Sequence, residues 1–138
     1  MTAKRAEPHW LDRRTVEAIH VLIAQQSGGS AGLRDAALLQ SAIARARQRF
    51  AYETEADLFD LAAALGHGLA KNHPFLDGNK RIAFVAAISF LERNCAKFVA
   101  SEVDAALAML GLASGELREK EFAAFLRANC ERPRGKRR

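Results

Sequence analysis

The sequence predicts an all-α protein, a compact bundle of about six helices around one central buried helix. Three observations carry that expectation. Apolar residues recur at helical spacing along most of the chain. No stretch alternates polar with apolar for long enough to build a sheet, and no internal repeat is visible. The run Ile82–Leu91 is apolar on every side, as a helix in the middle of a bundle is.

Each element follows from local chemistry. Residues 1–8 are polar and expected to fray. Asp12 caps a first helix whose inward positions are Val16, Ile19, Leu22 and Ile23, and Ser27-Gly28-Gly29-Ser30 stops it. Asp35 caps a second helix that buries Leu38, Leu39, Ala42 and Ile43. Helical periodicity then fades, so a short flap or hairpin is expected near residues 46–56, with Phe50-Ala51-Tyr52-Glu53 showing weak strand character. A third helix from Asp57 to Lys71 turns Leu58, Leu61, Ala62, Leu65 and Leu69 inward. The fourth spans Asn79 to Asn94, with Asn94 as its C-terminal cap. Ser101 caps a fifth, read with Val103, Ala106, Leu107 and Leu110 inside, and Gly115 ends it. The sixth, from Leu117 to Asn129, buries Phe122, Phe125 and Leu126.

The chain reads as residues 1–131, a helical domain, followed by residues 132–138, a disordered basic tail. With 49% hydrophobic and 27% charged residues, the domain has the composition of a globular core under a solvated surface. The net charge of +5 is a property of the tail: five of the 21 basic residues lie there, leaving sixteen against sixteen acidic ones. Such a tail is either a solvated end or a weak, salt-sensitive attractor of nucleic acid. Cys95 and Cys130 form neither a C-x-x-C pair nor a disulfide framework, which fits free thiols in a reducing cytoplasm. No signal-peptide pattern is visible, and Ile82–Leu91 is too short to span a bilayer, so a cytoplasmic chain without membrane contact is expected.

The chemistry concentrates in Asn72-His73-Pro74-Phe75-Leu76-Asp77-Gly78-Asn79-Lys80-Arg81, where a polar loop feeds the apolar fourth helix. Free backbone N–H groups and the positive dipole end face that loop. Lys80 and Arg81 place two cations in the first turn, against the macrodipole, and an anion such as phosphate would account for them. His73 suits a general base for a hydroxyl nucleophile. Asp77 is a hard oxygen ligand for Mg²⁺ held jointly with phosphate oxygens. Gly78 and the N–H groups after it form an anion nest that Asn79 completes. Pro74 stiffens the loop and Phe75 anchors it to the core. On residue types alone, a polar turn that merely caps a buried helix remains the alternative. Elsewhere, His9 and His20 read as surface or satisfied core histidines, and His67 as a packing histidine, since no third ligand stands at zinc-site spacing.

His73-x-Phe75-x-Asp77-Gly78-Asn79-Lys80-Arg81 resembles the signature of the Fic/Doc family. Its lysine points to the Doc (death-on-curing) toxin branch, because the larger nucleotidyl-transferring branch usually has glycine at the Lys80 position. That branch usually carries a second arginine where this chain has Phe84. Gly32-Leu33-Arg34-Asp35 and the helix before the motif are also similar to Doc, so the resemblance covers most of residues 10–128.

The resemblance implies an ATP-dependent, magnesium-dependent protein kinase of unusual fold. It would phosphorylate a threonine of elongation factor Tu, stop translation, and be neutralised by a Phd-type antitoxin. Nucleic acid would be met only through that antitoxin. The flap would dock the target segment by strand addition, with Phe50 and Tyr52 as its aromatic contacts. His73, Asp77, Lys80 and Arg81 would carry catalysis, and Gly78, Asn79, Lys80 and Arg81 would bind the nucleotide. Some family members carry an inhibitory Ser/Thr-x-x-x-Glu-Gly/Asn helix; here Ser114 is followed four residues later by Arg118, which favours inhibition by a separate chain. Two other readings stand beside this one. The first is a nucleotidyl transferase using the same pocket, since Gly78 permits either nucleotide orientation. The second is a non-catalytic module that binds nucleic acid or a partner.

Overall fold

The computed structural model describes residues 5–132. Six helices form in order: α1 (Arg13–Ser27), α2 (Ala36–Tyr52), α3 (Leu58–Asn72), α4 (Asn79–Arg93), α5 (Glu102–Ser114) and α6 (Glu119–Ala128). Two short strands, β1 (Lys97–Phe98) and β2 (Cys130–Glu131), pair antiparallel, with Phe98 opposite Cys130. The all-α expectation holds, and this small ribbon is the one sheet among the described residues. It fastens the segment after α6 to the segment leaving α4.

The predicted caps form. The side chains of Asp12, Asp35 and Ser101 accept from the backbone N–H three residues on, at 2.9, 3.0 and 3.0 Å, and Asp57, expected only as the start of the third helix, does the same at 2.9 Å. Each supplies one of the acceptors that a helix start otherwise lacks, worth about 1 kcal/mol apiece.

The centre of the bundle is a helix pair. α3 packs against α2, α4, α5 and α6, while α4 packs against α1, α3 and α5. Small residues allow this closeness. A Cβ on Gly66 would stand 2.9 Å from the Phe122 ring and 3.0 Å from the Ala83 carbonyl. Ala62, Ala63, Ala64, Ala83, Ala86 and Ala87 are all fully buried around the same seam.

The structure departs from the sequence expectations in four places. Residues 46–56 form no hairpin or flap: α2 continues to Tyr52, and only a short turn separates it from Asp57. Charged side chains hide the helical pattern there. Ala46 is the buried position, whereas Arg45, Arg47, Gln48 and Arg49 belong to the outer face, where Arg49 pairs with Glu53 and Glu119. Next, α5 faces the other way. Ala108 and Leu112 are buried, while Val103, Leu107 and Leu110 are 69%, 61% and 58% exposed. A helix apolar on nearly all sides has no preferred face, so packing against α3, α4 and α6 chooses it. Likewise in α1, Leu22 points outward and His20 takes the buried position.

The N-terminal segment is anchored from Arg5 onward, not frayed. Arg5 donates to the carbonyls of Phe50 and, at 2.9 Å, Ala56, and its guanidinium lies 4.1 Å from the Phe50 ring centre. Trp10 stacks on Phe90 and meets Phe50 edge-on. Residues 133–138 of the basic tail, and residues 1–4, lie outside the described residues.

Candidate active site

A cavity of about 530 Å³ opens where α1, the 29–30 turn, the α3–α4 loop and the end of α5 meet. It is lined by His73, Asp77, Gly78, Asn79, Lys80 and Arg81, together with His20, Gly29 and Ala113. Thus all six motif residues singled out from the sequence come to one site.

The loop is built from both ends. α3 ends at Asn72, and His73 takes the left-handed cap conformation at φ 50° and ψ 57°, its N–H bonded to the Leu69 carbonyl. Glycine or asparagine ordinarily fills that position, and a β-carbon there costs about 1–2 kcal/mol. The His73 ring is exposed on the cavity, and no hydrogen bond or ion pair engages it among the described residues.

The segment before α2 clamps the loop from outside. Pro74 O accepts from the N–H groups of Arg34 and Asp35, at 2.7 and 3.0 Å, and Leu76 N–H donates to Gly32 O at 2.9 Å. Leu33 and Phe75 form an antiparallel bridge. The Arg34 guanidinium donates to the carbonyls of His73 and Asn72, at 2.8 and 3.0 Å, satisfying the last turn of α3. Sequence reasoning noted this tetrapeptide without assigning Arg34 a role. A cation that faces the C-terminal end of another helix across 38 or 39 positions is invisible in one dimension.

Inside the loop, Asn79 is a brace. Its Oδ1 accepts from Phe75 N–H and its Nδ2 donates to Phe75 O, both at 2.9 Å. Its amide side chain is therefore committed to the loop, and only its backbone N–H is available to the expected anion nest. Gly78 sits at φ 76° and carries no side chain, so the first turn of α4 has no side-chain cap. Those N–H groups, the helix dipole and the exposed Lys80 and Arg81 all face the cavity end. Among the described residues neither cation has a carboxylate partner within ion-pair distance.

Asp77 lines the same cavity as Lys80 and Arg81. One carboxylate oxygen, Oδ1, accepts from Gly78 N–H at 2.8 Å, and the other stands over Gly29, where an added Cβ would be 2.7 Å away. No group of three or more His, Cys, Asp or Glu residues is placed to hold a metal by itself among the described residues. A single carboxylate beside an uncapped helix start is a donor set that would suit magnesium held jointly with phosphate.

Phe84 is only 4% exposed, edge-on to Phe98 and tilted against Phe122. It belongs to the core and does not line the cavity. Phe50 and Tyr52 lie outside the cavity too. Phe50 is half-buried under Arg5 and Trp10, and Tyr52 is 85% exposed beside Arg45, Arg49 and Glu119. His67 packs at the edge of α3, 3.6 Å from a Glu119 oxygen, as a packing histidine does. Cys95 and Cys130 are free thiols.

A sequence profile of the Fic/DOC family matches residues 10–91, from the approach to α1 through the end of the loop-bearing helix α4. The chain belongs to the Fic/Doc family. Two relatives place it in the Doc branch. It is 36% identical over 110 residues to the protein named Protein kinase doc of Escherichia phage P1, covering 80% of this chain and 86% of that one. It is 45% identical over 82 residues to Toxin Doc of Mycolicibacterium smegmatis, covering 57% of this chain and 62% of the relative. In this Fic/Doc chain the family match and the cavity coincide, since every motif residue of the loop falls inside the matched span. No helix among the described residues is long and apolar enough to cross a membrane.

Proposed function

We propose that this Doc-branch protein is a toxin that transfers the γ-phosphate of ATP to a threonine hydroxyl of a protein target. The observation that carries the reading is the pair Lys80 and Arg81, exposed on the cavity at an uncapped helix start and without carboxylate partners among the described residues. Two unneutralised cations opposed to a helix dipole call for a polyanion between them.

His73, on the same cavity and free of other bonds, takes the proton of the incoming hydroxyl. The new bond joins that oxygen to the γ-phosphorus, and the bond to the bridging oxygen breaks, leaving its electron pair on ADP. Lys80, Arg81 and the first-turn N–H groups of α4 stabilise charge on the phosphoryl oxygens as it spreads in the transition state. Asp77 would hold magnesium, which supplies charge neutralisation on the phosphates when bound. Gly78 lets the backbone approach the phosphates without a side chain between them.

Phosphoryl transfer is favoured over nucleotidyl transfer by Phe84. The position that would carry a second phosphate-binding arginine is inside the core, so no cation reaches a phosphate from there. Resemblance to the Doc branch supports elongation factor Tu as target, a Phd-type antitoxin as inhibitor, contact with nucleic acid only through that antitoxin, and a cytoplasmic site of action.

The decisive experiment incubates the protein with magnesium, elongation factor Tu and ATP labelled at either the α- or the γ-phosphate. Label from the γ position should reach the target, and His73→Ala should lower the rate by about 10²–10⁴-fold with the fold intact. Label from the α position would establish nucleotidyl transfer instead. No transfer of either label, with tight partner binding retained, would establish a binding module.

A further inference from the structure

His20 is the one buried polar or charged side chain among the described residues, 1% exposed, and nothing in the reading above uses it. It belongs to α1, far in sequence from the catalytic loop, yet it lies directly beneath that loop. Its Nε2 stands 2.6 Å from the main-chain carbonyl of Asp77. A carbonyl oxygen only accepts, so Nε2 carries the proton and donates. The other nitrogen, Nδ1, is buried with no partner among the described residues, so Nε2 is the nitrogen that the fold engages. The ring stacks on Phe75, 3.8 Å between centres and 10° between planes, so its direction is set by the loop's own anchor.

We propose that His20 is a positioning residue that sets the orientation of the Asp77 carboxylate through the Asp77–Gly78 peptide. The path has three links. His20 pins the Asp77 carbonyl downward. A trans peptide holds its C=O and the following N–H on opposite sides, so the Gly78 N–H is turned the other way. That N–H donates to Asp77 Oδ1 at 2.8 Å and fixes the carboxylate over Gly29.

Gly78 completes the argument. An added Cβ there would stand 3.4 Å from His20 Nε2, so the left-handed residue and the imidazole are fitted to each other. Without the donor, the part-buried carbonyl would lose its partner on this side, and rotation of the peptide toward water would swing the carboxylate with it. This resembles the way partners behind a ligand orient it at metal sites, where their loss typically costs about 10–100-fold in affinity or activity.

Two substitutions separate positioning from packing. His20→Phe keeps an aromatic ring on Phe75 and loses the donor. His20→Gln loses the ring and keeps an N–H near the place of Nε2. On the free protein, amide spectra of the ¹⁵N-labelled chain are expected to show the Gly78 resonance displaced, and its hydrogen exchange accelerated about tenfold or more, in His20→Phe. His20→Gln should stay close to the wild type, and amides in the middle of α3 and α4 should be unchanged in both. In the wild type itself, the His20 ring nitrogens should show the Nε2–H tautomer, which decides the matter even where a variant folds poorly. The catalytic consequence rests on the phosphoryl-transfer reading above. The magnesium concentration for half-maximal γ-phosphate transfer should rise about 10–100-fold in His20→Phe and recover in His20→Gln.

A Gly78 amide undisturbed in His20→Phe, equal disturbance in both variants, or an Nδ1–H tautomer in the wild type overturns the proposal. Absence of transfer in the wild type would count against the kinase reading alone, because the amide and tautomer measurements use the free protein.

Discussion

The Arg34 guanidinium donates to the carbonyl of His73 across 2.8 Å, and to that of Asn72 across 3.0 Å. One cation therefore satisfies the end of α3 and fixes the backbone from which the His73 imidazole projects.

Arg34→Met should cost about 1 kcal/mol of stability, from lost charge-assisted bonds at a helix C-terminus. It should cost more in transfer rate than in stability, because a small rotation at His73 misaligns the base. Urea denaturation alongside the initial rate of phosphoryl transfer checks this. A rate unchanged within a factor of two would show that the loop holds His73 without the clamp.

Lys80 and Phe84 are expected to respond in opposite ways. Lys80→Gln removes a charge from the cavity rim, so γ-phosphate transfer should fall on the order of tenfold or more with stability nearly unchanged. Phe84→Arg puts an unpaired cation among Phe98 and Phe122 and should destabilise the fold by about 3–5 kcal/mol. Thermal melts distinguish the two. A well-folded Phe84→Arg protein that transfers the nucleotidyl group would remove the structural basis for the kinase reading.

The pH dependence of stability should carry a signature of His67. Burial holds its pKa below the ordinary histidine value of 6.5, with Glu119 opposing and Arg45 and Lys71 reinforcing that shift. The unfolded chain then binds the proton first. The stabilising contribution is complete above about pH 6.5 and is lost as pH falls through the lowered folded value. Urea midpoints measured from pH 7.5 down to pH 5 should decline, and His67→Leu should flatten that part of the curve. A variant with the wild-type slope would assign the decline to other groups.

The orientation of α5 gives a prediction opposite to the one its sequence invites. Leu107→Lys should change stability by less than about 0.5 kcal/mol, since the side chain already stands in water. Leu112→Ala, 4% exposed in the wild type, should cost about 2–5 kcal/mol. Paired urea denaturations check both. Equal costs would mean that the outer face of α5 is covered in solution.

What the sequence determined by itself is local in origin. Caps at Asp12, Asp35 and Ser101 depend on bonds spanning three residues, and all three form where the residue types require them. The loop motif is legible for the same reason: His73 through Arg81 are contiguous, so a loop running into a helix must bring them together. Tertiary structure decided everything that hangs on a distant partner. The run of arginines near Phe50 hid the continuation of α2, because its stability comes from Glu119 and from packing on Trp10 and Arg5. The all-round apolar α5 offered no periodicity from which to choose its buried face, and its neighbours chose it. Asn79 has the residue type of an anion ligand and acts as a brace, since only the folded loop brings Phe75's backbone to its amide. Arg34 and His20 act across 39 and 57 positions. Side-chain chemistry sets which bonds a residue is able to make, and chain topology alone decides which partners arrive to make them.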